Sequence, residues 1–247
     1  MAKIQCNMIS YTLMRTVDID VILPSVTIPE SMAPIMSGEK PHHDYKQKYP
    51  VLYLLHGFGN NHAQWCGYSN IELYAEERQM AVVMISGENK NYINQEKDLF
   101  YDFIENELPE FIEGVFPISS RKEDRYIAGL SMGGFGALYH GLANTNKYQA
   151  IGAFSPAIEM EGNPVDLYDV LEESDGNISV YITCGDKDFV YQSNIKFIEK
   201  MKEKGVKFDW VSVPGYEHEW RFWNLAVERF LDWMPRTDAY ANAKRKI

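Results

Sequence analysis

Five short runs of this chain are almost wholly apolar: Val51 to Leu55, Ala81 to Ile85, Tyr126 to Ala128, Ala150 to Phe154 and Val180 to Cys184. A strand with one wet face alternates polar and apolar residues. Continuous apolar strands are buried on both faces, which is the habit of a parallel sheet. Between and after these runs lie helical patterns, at about 70–79, 98–114, 133–145, 191–204 and 219–233. In the fourth, Ile195, Ile198 and Met201 recur at helical spacing among lysines and glutamates, and Gly205 supplies the stop. Strand and helix repeated in this way require right-handed crossovers and a doubly wound, three-layer αβα sandwich. Phe208 to Val213 is expected to be the last strand.

The N-terminal segment reads differently. Val17, Ile19 and Val21 alternate with Thr16, Asp18 and Asp20, a half-wet strand that with Ile4 to Thr12 predicts an opening antiparallel pair. Residues 24–50 carry several prolines, a Ser-Gly and two histidines, and are expected to be a loop returning the chain to the sheet. No domain boundary is visible, so residues 1–247 are expected to form one domain. The tail 237–247, with Lys244-Arg245-Lys246, is expected to be flexible or to dock on a partner.

In open α/β sheets ligands sit beyond the carboxyl ends of the strands, so the residues after each apolar run are where chemistry is sought. Tyr126-Ile127-Ala128 is followed by Gly129-Leu130-Ser131-Met132-Gly133-Gly134, a G-x-S-x-G between a strand and a helix. A serine presented there must occupy a sharp, strained turn, and side chains two residues to either side would collide. The start of the next helix favours the anion that forms during attack. The hydroxyl is a poor nucleophile until a base takes its proton. His218, in Pro214-Gly215-Tyr216-Glu217-His218-Glu219-Trp220 after the last strand, is at the place expected of that base. His140, inside the helix that follows Ser131, reads as helix surface or core.

The acid should follow Val180 to Cys184, where the sequence is Gly185-Asp186-Lys187-Asp188-Phe189. Either aspartate could orient the imidazole and stabilise its charged form. Asp188 is preferred because three residues past the glycine the chain has room to turn back, whereas Asp186 suits the capping of a turn. Donors for a tetrahedral oxyanion are expected from the Met132 N–H and from the loop His56-Gly57-Phe58-Gly59-Asn60-Asn61, with the Phe58 N–H as the candidate. His56 precedes the serine in the chain and is read as a brace for that loop.

Composition narrows the classes of function. The formal net charge of −11 opposes nucleic-acid binding and suits a soluble protein. Cys6, Cys66 and Cys184 are far apart and form no C-x-x-C pair, which argues against a disulfide framework or a zinc knuckle. The N-terminus lacks the apolar run of a signal peptide and no stretch reaches the length of a membrane span, so a cytoplasmic location is expected. His42-His43-Asp44 reads as solvated surface rather than a metal site, and no metal or organic cofactor is expected.

The chain resembles the esterase D / tributyrin esterase family, which takes in S-formylglutathione hydrolases and feruloyl or acetyl esterases acting on plant polysaccharides. The resemblance rests on Leu54 to Asn61 with Trp65, Glu107-Leu108-Pro109, Gly129 to Ala137, Cys184 to Phe189 and Gly215 to Trp223. It implies the α/β-hydrolase fold, a triad of Ser131, Asp188 and His218, and Phe58 and Met132 as oxyanion donors. The segment Gly87 to Asn94 departs from it, being short and polar where relatives often carry a longer aromatic stretch. Tyr92 within it, together with Trp65, Trp220 and Trp223, is expected to line the pocket.

The function this implies is a serine carboxylesterase for short-chain acyl, acetyl or hydroxycinnamoyl esters of a small molecule or carbohydrate. A thioesterase of the S-formylglutathione hydrolase type is the alternative, which a basic rim around Ser131 would favour. A non-catalytic binding domain on the same fold is the reading from another class, and it would be expected to have lost a triad member. Residues 155–177 leave room only for a short lid. Enzymes of this kind often form symmetric assemblies, so a homo-oligomer is compatible with the class.

Overall fold

The computed structural model describes residues 1–38 and 46–242. Its elements in chain order are β1 (Ala2–Ser10), β2 (Arg15–Leu23), α1 (Ile28–Ser37), β3 (Val51–Leu55), α2 (Gln64–Tyr68), α3 (Ile71–Glu77) and β4 (Ala81–Ile85). A two-stranded hairpin of β5 (Asn94–Gln95) and β6 (Asp98–Leu99) comes next. A helical stretch then runs through α4 (Phe100–Asp102), a π-helical turn (Phe103–Glu107) and α5 (Leu108–Val115). The second half contains β7 (Arg125–Leu130), α6 (Met132–Ala143), β8 (Ala150–Phe154), α7 (Leu167–Glu173), β9 (Ser179–Gly185), α8 (Tyr191–Lys204), β10 (Lys207–Val213) and α9 (Trp220–Trp233).

Eight strands form one sheet in the order β1-β2-β4-β3-β7-β8-β9-β10. β1 pairs antiparallel with β2, and β2 antiparallel with β4; every other neighbour is parallel. The expected fold is therefore the observed one. The apolar runs work as anticipated because alternate residues feed opposite layers. Tyr53, Leu55, Val83, Ile127, Ile151 and Val180 pack with α5, α6 and α8, whereas Leu52, Leu54, Val82, Ala128 and Phe154 pack with α3 and α9. From β3 the chain steps to β4 on one side, then crosses to β7 on the other. The crevice at that reversal, beyond the carboxyl ends of β3 and β7, is where this architecture opens to ligands.

The segment 24–50 corrects the sequence expectation of a loop, because α1 lies within it. Thr27 accepts from the Glu30 N–H while the Glu30 side chain accepts from the Thr27 N–H, a capping box, and Pro29 sits in the first turn where its missing donor costs nothing. The prolines that suggested irregular chain are here compatible with a helix start. His42, His43 and Asp44 lie outside the described residues. Near the C-terminus, the part of the tail that is described is docked on this chain: Tyr240 stacks on Tyr49 with centroids 5.2 Å apart, and Asp238 pairs at 2.7 Å with Arg236, which itself donates to the Arg78 carbonyl oxygen. Among the described residues no helix is long and apolar enough to cross a membrane.

The tip of the β1–β2 hairpin is fixed by one carboxylate. Glu107 accepts from the Ser10 hydroxyl at 2.7 Å and from the Tyr11 and Thr12 N–H groups at 2.8 and 3.0 Å. Burial pushes this carboxyl up, but the bonds from Thr12, Ser10 and Tyr11 outweigh it and leave it below its ordinary 4.5. Glu107→Gln turns one acceptor into a donor that faces donors. It is expected to cost ~1–3 kcal/mol, read as a lower urea midpoint at neutral pH. A lowered carboxyl stabilises the fold above the ordinary glutamate range and ceases to do so as pH falls through its folded value, so the gap between wild type and variant should close in acid.

Candidate active site

The G-x-S-x-G turn is as tight as the sequence requires. Ser131, between β7 and α6, has φ 52° and ψ −115°, a conformation that costs a non-glycine residue on the order of 1–3 kcal/mol. A Cβ on Gly129 would come within 2.3 Å of the Gly133 carbonyl oxygen, and one on Gly133 within 2.5 Å of the Leu55 oxygen. Both positions are thus closed to larger residues, and the turn is held by the Ser131 N–H donating to the Phe154 oxygen at 2.9 Å.

Ser131 Oγ lies 2.9 Å from His218 Nε2, a contact between residues 87 apart in sequence. His218 Nδ1 lies 3.0 and 2.9 Å from the two oxygens of Asp188. Because the carboxylate can only accept, Nδ1 carries the proton and Nε2 is left free to accept from the serine hydroxyl. Asp188 is buried, which pushes its carboxyl up, but bonds from His218, the Ser155 hydroxyl and the Val190 N–H prevail and hold it below its usual value. It therefore stays ionised beside the imidazole. Asp186 does something else: its Oδ1 accepts the Gly215 N–H at 2.7 Å, tying the loop after β9 to the loop that carries His218. Cys184, just beneath, is a buried thiol pushed up to about 12 by burial and by Asp188, and is unreactive at neutral pH.

The loop after β3 passes close to this group. A Cβ on Gly57 would stand 3.5 Å from Ser131 Cβ and 2.4 Å from Leu130 Cδ1. The next residue, Phe58, has an exposed ring, and its N–H has no acceptor among the described residues. Met132 opens α6, where the N–H has no partner within the helix. His56 is buried and neutral. Burial lowers its pKa to about 4, its Nδ1 donates to the Gly57 oxygen at 2.7 Å, and its Nε2 accepts the Gly87 N–H at 2.9 Å. This is the bracing role read from the sequence.

Two expected pocket residues are placed otherwise. Trp65 is 1% exposed and donates to the Leu55 oxygen at 3.1 Å; Tyr92 is 0% exposed and donates to the His56 oxygen at 2.9 Å. Both sit behind the loop that follows β3 and support it, because each ring has a polar atom that a strand-end carbonyl can satisfy. Trp223 is buried with its ring edge-on to His218 at 4.9 Å, and the half-buried Trp220 packs between Trp223 and the exposed Tyr68. Sequence reasoning missed Phe189, whose exposed ring lies 4.6 Å from that of His218. Its position next to the acid was the only available signal. After β8 the Ala157 N–H donates to the backbone carbonyl oxygen of Ser131 at 3.1 Å. The chain then lines a cavity of about 420 Å³ that includes Glu159, Glu161, Asp166 and Tyr168. Chemically, the group presents a hydroxyl with its proton acceptor in place and two amide donors nearby, which suits attack on an acyl carbonyl.

The chain is similar to several known proteins. The sequence model of the Esterase family matches residues 39–236 of the chain. An acetyl esterase from Caldicellulosiruptor saccharolyticus is 30% identical over 273 aligned residues, spanning 96% of this chain and 99% of that protein. The substrate-bound structure of fluorophosphonate-binding serine hydrolase F from Staphylococcus aureus superposes with a TM-score of 0.81 at 26% identity, covering 94% of this chain and 98% of that one. The S-formylglutathione hydrolase structure from the same organism gives 0.80 at 26% identity, with the same coverage of both chains.

Proposed function

This chain belongs to the Esterase family and is a serine carboxylesterase, and we propose that Ser131 is its nucleophile, His218 its general base and Asp188 the acid that orients the base. The observation that carries this is the unbroken run of hydrogen bonds from Asp188 through His218 to Ser131 Oγ. On this reading Ser131 attacks the ester carbonyl as His218 takes its proton. The oxyanion is met by the Phe58 and Met132 N–H groups, and the alcohol leaves with the proton from His218. Water then repeats the sequence on the acyl-enzyme. One domain over 1–247 is supported by the single eight-stranded sheet whose strands β7, β9 and β10 lead to Ser131, Asp188 and His218. A cytoplasmic location is supported by three cysteines that remain free.

The substrate proposed is a short-chain acyl, acetyl or hydroxycinnamoyl ester whose alcohol is a small molecule or sugar, with the aromatic rim of Phe58, Phe189 and Trp220 against it. The thioester reading is the weaker one. The side chains packed on or beside His218, namely Phe189, Trp223 and Trp220, are uncharged aromatics, so they offer no cation to draw in an anionic thiol such as glutathione. A panel of p-nitrophenyl esters of rising chain length, acetylated xylan, feruloyl esters and S-formylglutathione tests this. The expected result is kcat/KM highest for acetyl and other short or hydroxycinnamoyl esters. Highest kcat/KM on S-formylglutathione would replace this reading with the thioesterase one.

A further inference from the structure

The elbow helix α6 carries a buried titratable group that the mechanism leaves unused. His140 is 0% exposed, and both its ring nitrogens face acceptors: Nδ1 lies 2.7 Å from Glu105 Oε1 and Nε2 lies 2.8 Å from the Tyr92 carbonyl oxygen. A neutral imidazole has one donor, so two acceptors at these distances call for the imidazolium. His56 provides the contrast within the same molecule, with one donor partner and one acceptor partner. The groups around His140 complete a hydrogen-bonded site. Glu105, in the π-helical turn, also accepts from Lys147 Nζ at 3.0 Å and from the Tyr148 hydroxyl at 2.9 Å. The rings of Tyr101 and Tyr139 pack on the imidazole at 4.8 and 5.4 Å.

What this site holds is the short, polar segment Gly87–Asn94. Glu88, Asn91 and Tyr92 all have positive φ, at 48°, 54° and 59°, so the segment is strained and needs restraint from outside. Its inner restraint is the bond from His140 to the Tyr92 carbonyl. Besides ion pairs of Glu88 with Arg15 and of Lys90 with Asp98, both at 3.2 Å, the segment makes three bonds to the loop after β3. The Tyr92 hydroxyl donates to the His56 oxygen at 2.9 Å, the Gly87 N–H donates to His56 Nε2 at 2.9 Å, and Asn89 Oδ1 accepts the Gly59 N–H at 2.8 Å. The peptides on both sides of Phe58 are thereby fixed by one strained segment anchored on a buried cation.

We infer that His140, Tyr92 and Asn89 are positioning residues that clamp the loop His56–Asn60 so that the Phe58 N–H is aimed at the developing oxyanion. The inference rests on the proposed role of Phe58 as an oxyanion donor. A donor set only for the transition state affects kcat rather than ground-state binding. Asn89 is exposed and Tyr92→Phe removes a single oxygen, so both variants are expected to fold. Each is expected to lower kcat on p-nitrophenyl acetate about tenfold with KM within about twofold. Affinity for a trifluoromethyl ketone that forms the tetrahedral adduct should fall in step. Asn89→Asp keeps the acceptor for Gly59 and should recover most of kcat. The charge on His140 is read directly in wild type, where 15N NMR should find both ring nitrogens protonated. Wild-type kcat and ketone affinity in both Asn89→Ala and Tyr92→Phe would overturn the clamp, as would an unprotonated nitrogen on His140. If Ser131→Ala still turned over substrate, the underlying reading would fall; an inactive Ser131→Ala beside fully active clamp variants would sink the clamp alone.

Discussion

Ser131→Ala is expected to lower kcat by roughly 10⁴- to 10⁶-fold while leaving the protein folded. The substitution removes one oxygen and keeps Cβ, so the backbone strain at φ 52° and the packing of Gly129 against Gly133 are unchanged. What is lost is the hydroxyl bonded to His218 Nε2, at 2.9 Å. A circular dichroism melt together with p-nitrophenyl acetate kinetics checks the result, and turnover close to wild type would remove the nucleophile from the proposal. Ser131→Gly separates chemistry from strain. It should be equally inactive yet more stable than the alanine variant by ~1 kcal/mol, because glycine adopts positive φ without a steric penalty.

The second large effect belongs to the acid. Asp188→Asn is expected to lower kcat about 10⁴-fold, by reversing the imidazole tautomer rather than by disturbing geometry. One oxygen at position 188 already accepts the Val190 N–H at 3.1 Å, which holds the carbonyl of an asparagine there. The amide NH₂ then faces His218 Nδ1, turns it into an acceptor and leaves the proton on Nε2, where it blocks the serine. Asp186→Asn is the matched comparison. Its Oδ1 still accepts the Gly215 N–H, so kcat/KM is expected to stay within about threefold of wild type. A larger loss at 186 than at 188 would exchange the roles of the two aspartates.

The sheet was legible because burial on both faces leaves a compositional trace. Val51–Leu55, Ala81–Ile85 and Ala150–Phe154 begin and end in the structure where their apolar runs do. Helix α1 was hidden because Pro29 and Pro34 read as breakers, and only the Thr27–Glu30 pair announced a start. At the site, residues bound to a strand end by steric need were readable: Gly129 and Gly133 admit no larger residue in that turn. Aromatic residues were not, since an indole or phenol can be satisfied by a pocket or by a buried carbonyl with the same sequence. Trp65 and Tyr92 found carbonyls, whereas Phe189, with no polar atom to satisfy, stayed outside against His218. The pairing of His140 with Glu105 joins α6 to a π-helical turn 35 residues earlier, and no local pattern encodes that contact.

Nucleophile and base are anchored to the sheet with unequal security. Ser131 follows β7, which is laced to a neighbour on each side, whereas His218 follows β10, which is bonded to β9 alone and forms the rim of the sheet. Rim strands peel before interior ones. On warming, the imidazole is therefore expected to drift from its hydroxyl while the interior of the molecule is still intact, so that activity should be lost below the melting temperature of the core.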